Sequence, residues 1–381
     1  MSPKIWLSSP HMGGKEQEYV KEAFDTNWVA PLGPNVNGLE TDLATYLGEG
    51  VHVAALSSGT AAIHLSLIIL GVQQGDEVIC QSMTFSASAN PIAYLGAIPI
   101  FIDSETDTWN MSPAFLEEAI LDRIAKGKKP KAIIAVHLYG MPAKMEEIDT
   151  IAGKYEIPVI EDAAEALGSS INNIKCGTFG DISILSFNGN KIITTSGGGG
   201  LVSKNKAHSE QATFLATQAR DPAPHYQHSH IGYNYRMSNI CAGIGRGQLE
   251  VLSERVEARR ANYLFYKKEF SNLAGISFLP EPTGFYSNRW LTTILVNPEN
   301  EGITREDIRL ELEKENIESR PLWKPMHLQP VFEKYPYYGS DIAESLFDNG
   351  LCLPSGSNLT AKNLRSVADI VINTIKSSLT N

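Results

Sequence analysis

Five short runs, residues 77–81, 98–102, 132–137, 158–161 and 181–187, are largely apolar and rich in β-branched residues, and most are separated by stretches long enough for a helix. Continuous apolar runs suit strands buried on both faces, and helix-length spacers suit the crossovers that parallel strands require. The rhythm predicts an α/β fold with a mainly parallel sheet covered on both sides. Ligands in such sheets bind beyond the carboxyl ends of the strands. Thr84-Phe85, Asp162 and the turn at Asn188 to Lys191 all fall there.

Other segments fill in the frame. Residues 14–26 and 36–47 read as amphipathic helices, 51–56 as a buried strand, and Ser57-Ser58-Gly59-Thr60 as a glycine turn opening a helix over 61–70. The unpaired N–H groups and the dipole of such a helix start can hold a phosphate. Helices are expected at 204–215, 240–264, 305–315, 341–349 and 361–377, and strands at 291–296 and 317–320. The chain divides into a large domain over 1–250 and a smaller α+β domain over 251–381, a size that allows two cores.

Composition narrows the function. A net charge of −11 opposes nucleic-acid binding through phosphates. The four separated cysteines form neither a metal-ligand pair nor a disulfide framework. With no signal-like start and no run of apolar residues long enough to span a bilayer, a cytoplasmic protein without membrane association is expected. His225, His228 and His230 are close in sequence but lack a complementary ligand set, so no metal is expected. Gly197 to Gly200 lacks the order of a nucleotide-binding loop and reads as close backbone packing or a tight strand pair.

Chemistry concentrates near Lys191. The run 182–187 followed by Asn188-Gly189-Asn190 predicts a strand ending in a tight turn, which fixes a primary amine at the sheet edge. Such an amine can form a Schiff base when its surroundings favour the neutral form. Asp162 ends an apolar strand, Glu165 follows one helical turn later, and Phe85 lies in a polar stretch after a strand. On residues alone, Lys191 could be a solvated turn lysine, Asp162 a helix N-cap, Phe85 a core residue and Asn234 a turn residue.

The segment S-F-N-G-N-K-I-I-T-T-S-G-G-G at 186–199 resembles the cofactor-lysine segment of the DegT/DnrJ/EryC1/StrS family of sugar aminotransferases, which use pyridoxal 5'-phosphate (PLP). The Asp162 motif E-D-A-A-x-A-L-G, the opening S-S-P-H-M-G-G and the late S-R-P-L-W-K-P-M-H extend the likeness over almost the whole chain. Thr194-Thr195-Ser196-Gly197-Gly198-Gly199 departs from the commoner T-T-G-E-G-G. Lys191 distinguishes the chain from a related dehydratase branch that carries histidine there.

The resemblance implies an aspartate aminotransferase-like fold (fold type I), with Lys191 as the Schiff-base lysine and Asp162 as the partner of the pyridine nitrogen. It implies cofactor contacts from Gly59, Thr60, Phe85, Glu165, Ser186 and, across a homodimer interface with shared sites, Asn234. Trp28, Glu165, Lys191, His225, Tyr226, Arg320 and His327 are the expected substrate contacts, with Trp323 and Lys324 nearby. L-Glutamate would donate the amino group, leaving pyridoxamine phosphate as the intermediate carrier. The amino acceptor implied is UDP-2-acetamido-4-keto-2,6-dideoxyglucose, as in bacillosamine-type synthesis. GDP-4-keto-6-deoxymannose or a dTDP-linked keto sugar is the alternative, and a catalytically silent PLP-binding regulator a more distant one.

Overall fold

Successive side chains of a strand leave opposite faces, and the central strands here bury both. In the computed structural model, which describes residues 3–297 and 302–378, Ile134 and Val136 join an apolar cluster with Val78, Cys80 and Ile160. Ile133 and Ala135 join a separate cluster with Ile79, Ile100 and Val159. The first face is covered by the helices Gly59–Ile69 and Lys206–Ala216, through Ala62, Leu65, Ala212 and Leu215. The second is covered by Pro113–Ala125 and Met145–Lys154, through Leu116, Ile120, Met145 and Ile148.

The large sheet runs His52–Leu56, Gly199–Ser203, Ile182–Ser186, Val159–Asp162, Ala132–Val136, Glu77–Gln81, Ile98–Ile102 and Tyr337–Tyr338. Every pairing is parallel except the two made by Gly199–Ser203. The glycine-rich stretch therefore supplies both a strand and a close contact. A Cβ on Gly199 would lie 2.4 Å from the backbone of Ser58 and of Gly59. Glycine lets the sheet approach the start of the Gly59–Ile69 helix.

The later part of the chain forms a four-stranded antiparallel sheet, Ile276–Ser277, Thr292–Val296, Gly350–Leu353 and Arg320–Pro321. Tyr266, Phe270, Ile308, Leu312, Val367 and Val371 pack with it. The expected helix over 240–264 is two helices, Asn239–Glu250 and Leu252–Glu269, because Val251 leaves the helical region (φ −108°, ψ 10°). The expected strand over 317–320 contracts to Arg320–Pro321, since Ile317 bridges Ile5 instead. Tyr337–Tyr338 returns to the edge of the large sheet, so segments cross the 250/251 division in both directions. No described helix is long and apolar enough to cross a membrane.

Glu161 shows how the sheet is tied to its loops. It points away from the face used by Asp162, as strand alternation predicts, and is fully buried. Its carboxylate accepts from His137 Nε2 (2.8 Å), Phe179 N (2.8 Å), Gly180 N (3.2 Å), Ser183 Oγ (2.7 Å) and Gly177 N. His137 Nδ1 accepts from Ala143 N (2.9 Å), which puts the ring proton on Nε2. Burial pushes the Glu161 carboxyl up, but the bonds from His137, Gly177 and Ser183 outweigh it and hold the group below its ordinary value. Ligand atoms of His137, Glu161 and Cys176 lie within 4.8 Å of one another, yet both carboxylate oxygens are already engaged by these donors. The trio is a structural knot. Glu161→Leu strands five donors, of which those of His137, Gly177 and Ser183 are buried, so urea unfolding should show a loss of about 3–5 kcal/mol. A loss below about 1 kcal/mol would contradict this role.

Candidate active site

The carboxyl ends of the central strands open into a cleft of about 730 Å³. Gly59, Thr60, Phe85, Asp162, Glu165, Ser186, Lys191 and Arg320 all line it, together with Trp323 and Lys324. Residues from opposite ends of the sequence thus meet where a parallel sheet places its ligands.

Lys191 is held by its turn. Its N–H donates to Asn188 O (3.0 Å) immediately after the Ile182–Ser186 strand. The neighbouring carbonyl of Asn190 accepts from Trp290 Nε1 (2.7 Å) and Ser8 Oγ (2.6 Å). Buried Arg259 donates to Trp290 O (2.6 Å) and reaches Lys191 O at 3.5 Å. The side chain is 11 % exposed, and Nζ sits 4.1 Å above the Trp290 ring. These anchors restrict an otherwise flexible amine to one side of the cleft.

Glu165 is the ion-pair partner. Its Oε1 lies 3.2 Å from Lys191 Nζ, and its Oε2 accepts from Tyr139 N at 2.7 Å. Tyr139 adopts φ 53°, uncommon for a residue with a side chain, and this strained backbone brings its N–H to Glu165. Burial raises the Glu165 carboxyl to about 7, against the pull of Lys191 and the Tyr139 bond. The group is therefore near its midpoint at neutral pH, within hydrogen-bond reach of Nζ.

Asp162 ends its strand and is 4 % exposed. Its Oδ2 accepts from Ser88 Oγ (2.6 Å), and its Oδ1 from Ala164 N (3.1 Å). Thr84 Oγ1 lies 2.8 Å from Ser88 Oγ, so the Ser88 proton is directed at the carboxylate. Burial still pushes the Asp162 carboxyl up, with Ser88, Ala164 and Lys191 opposing. A protonated ring nitrogen beside it would supply the missing opposite charge.

The remaining features suit PLP. Ser58 caps the Gly59–Ile69 helix through Ala61 N (3.0 Å), leaving the first helical N–H groups for an anion. A Cβ on Gly59 would lie 3.2 Å from Ser186 Cβ, so glycine keeps the phosphate end of the cleft tight. Lys191 could serve as the covalent anchor, Asp162 could meet the ring nitrogen, Phe85 a ring face, and Ser186 with the helix start the phosphate, so the residues lining the cleft fit the cofactor.

Several expected contacts lie elsewhere on this chain. His327 is outside the cleft lining, bonded to Ser82 Oγ (2.7 Å) and stacked on Tyr337 with ring centroids 3.7 Å apart. Trp28 is partly exposed and offers its carbonyl to Asn239. Asn234 is exposed and itself bridges Thr217, His225 meets Gln227, and Tyr226 is 82 % exposed. Conversely, Ser88, Tyr139, Trp290 and Glu318 shape the site without having been expected. Ser88 follows Phe85 in a polar stretch, which was a readable signal. Trp290 is brought in only by tertiary packing.

Similarity to other proteins agrees with this geometry. The model of the DegT/DnrJ/EryC1/StrS aminotransferase family matches residues 10–372. The Bacillus subtilis (strain 168) protein EpsN, designated a candidate pyridoxal phosphate-dependent aminotransferase, is 54% identical over 98% of this chain and 96% of its own. The GDP-perosamine synthase of Escherichia coli O157:H7 is 40% identical over 93% of this chain and 94% of its own. The solved Streptococcus pneumoniae protein Spr1654, a candidate sugar aminotransferase in its PMP form, superposes with a TM-score of 0.89 at 26% identity, covering 99% of each chain. The chain belongs to the DegT/DnrJ/EryC1/StrS aminotransferase family and is a pyridoxal phosphate-dependent enzyme.

Proposed function

We propose that the protein transfers the amino group of L-glutamate to C4 of a nucleotide-linked 4-keto-6-deoxy sugar, with UDP-2-acetamido-4-keto-2,6-dideoxyglucose as the acceptor. The observation carrying the amino-transfer reading is the convergence of Lys191, Glu165 and Asp162 in one cleft at the carboxyl edge of the sheet. When bound, PLP supplies an electron-withdrawing ring through which an amino group can pass between two carbon skeletons.

The chain's own groups divide the remaining work. Lys191 Nζ is the base and acid that moves the proton, and Glu165 Oε1 can take that proton from it or return it. Asp162 holds the ring nitrogen charged, and Ser88 and Thr84 keep its carboxylate oriented. Arg320, 67% exposed and paired with Glu318, and Lys324 offer cations for a diphosphate at the mouth. Buried aromatic groups, Trp290 and Tyr139, limit water around the reacting atoms.

The proposal includes a homodimer. Asn234, His225 and Tyr226 lie on an exposed loop with Ile231, which is 84 % exposed. In a dimer, that loop from one copy would complete the cleft of the other, with Asn234 on the phosphate and His225 and Tyr226 on the substrate. Trp28 would border the same interface.

A GDP-linked acceptor is the second reading, favoured by the GDP-perosamine synthases at 40%, 36% and 34% identity. The purified enzyme, supplied with glutamate and each of the UDP-, GDP- and dTDP-linked 4-keto sugars, should form 2-oxoglutarate fastest with the UDP-linked acetamido sugar. Turnover with the GDP-linked sugar alone would favour the second reading. Binding of PLP without turnover of any acceptor would favour a silent regulator.

The Glu165 carboxyl yields a pH test in cofactor-free protein. In the folded chain it keeps its proton up to about pH 7, whereas the unfolded chain releases it near the ordinary value of 4.5. The folded form then binds more protons between these values, and Glu165's contribution to stability falls as pH rises through that window. Against Glu165→Gln, which cannot ionise, wild type should lose up to about 3 kcal/mol of relative stability from pH 4.5 to 7 in urea titrations. Parallel pH profiles for the two proteins would refute the raised value.

A further inference from the structure

We propose that a second chamber beside the cleft seats the uridine end of the sugar nucleotide, with Gln329 and Asn90 reading the uracil edge. The inference rests on the nucleotide-sugar reading above and deepens it. The chamber, about 390 Å³, is walled by side chains from two segments of the chain, 84–90 and 323–332. Its size lies within the usual range for small-molecule pockets, about 300–1,000 Å³. Thr84, Phe85, Trp323 and Lys324 also line the cofactor cleft, so these four residues form the rim between the two spaces.

A sugar nucleotide carries its reacting carbon and its base at opposite ends of a diphosphate. With cofactor and sugar in the cleft, the diphosphate must leave across a rim. Lys324 stands on the shared rim, is exposed, and makes no ion pair among the described residues. A solvated lysine at a phosphate crossing is a point charge waiting for an anion. Beyond it, Met326 and Phe332 are each 2 % exposed and form an apolar floor, while Val331 is 66 % exposed at the lip. The Phe85 and Trp323 rings, 5.6 Å apart, close the other side. A flat base between such surfaces covers apolar area that water now reaches.

The polar groups favour one base edge. Gln329 spends Nε2 on Lys324 O (3.0 Å), and its Oε1 accepts no hydrogen bond among the described residues. Asn90 is half-buried, and its carboxamide likewise has no hydrogen-bond partner among the described residues. A carbonyl oxygen and a carboxamide lining one chamber match the N3–H donor and flanking carbonyl acceptors of uracil. Guanine presents two adjacent donors, N1–H and the 2-amino group, which a carboxylate matches best. Among the described residues, no acidic one lines the chamber.

Calorimetric titration of the PLP-loaded enzyme with UDP and with GDP tests the assignment. UDP should bind more tightly than GDP, and Gln329→Leu and Asn90→Leu should each weaken UDP by about threefold to tenfold. Lys324→Ala should weaken both nucleotides alike, and Val331→Trp, which fills the chamber, should abolish UDP binding. Retained cofactor absorbance and melting temperature identify variants that fold normally. Unchanged UDP affinity in folded Val331→Trp and Gln329→Leu proteins overturns the chamber, and tighter GDP than UDP binding overturns the base assignment. The wild-type half-reaction with glutamate uses no nucleotide. Its failure would count against amino transfer itself, and its success alongside unchanged UDP binding in the variants would count only against the chamber.

Discussion

The 3.2 Å contact between Lys191 Nζ and Glu165 Oε1 is the constraint around which the site is arranged. An amine and a carboxyl group taken out of water each lose solvation, and only a close partner or a change of protonation offsets that loss. Here the amine is 11 % exposed and its partner 3 % exposed, so neither can rely on solvent. The consequence is a buried carboxyl group raised to about 7 and held against an amine. That contact needs a rigid support. Arg259 and Trp290 hold the lysine turn through its carbonyls, and Tyr139, in a strained backbone conformation, holds the carboxyl group.

The support comes from both parts of the chain. Arg259 lies on the first long helix after Val251, and Trp290 just precedes the central strand of the small sheet, yet both act on a turn of the large sheet. The amino-terminal segment reinforces the junction. Ile5 bridges Ile317, Leu7 N donates to Glu318 at 3.2 Å, and Ser8 bonds the lysine turn. Leu7 and Glu318 then form part of the cleft wall. The small sheet is thus a structural part of the catalytic pocket.

Much of this was legible in the sequence because burial on two faces leaves a strong local signature. The runs at Glu77–Gln81 and Ile98–Ile102 appear at their expected bounds, and the others shift by a residue or two. Lys191 and Asp162 stood out in the sequence because they follow strand ends, whereas the place of Glu165, which lies in a turn, came from the family resemblance. What was not legible depends on contacts distant in sequence. The glycine-rich stretch reads as close backbone packing or a tight strand pair and Gly199–Ser203 is both, but its register against Leu56 and Ser186 is set by strands distant in sequence. The break at Val251 and the bridge of Ile317 to Ile5 are decided by tertiary packing. His327 looked like a ligand by its residue type and neighbours, whereas its ring is occupied by Tyr337 and Ser82.

The proposed chemistry depends on one lysine, Lys191, carrying the cofactor. Borohydride reduction of the PLP-loaded protein, followed by digestion and mass spectrometry, reads the attachment point directly. The cofactor mass should appear on the peptide containing Lys191 and disappear in Lys191→Ala. Labelling confined to any other lysine, or undiminished in that variant, would contradict Lys191 as the attachment point.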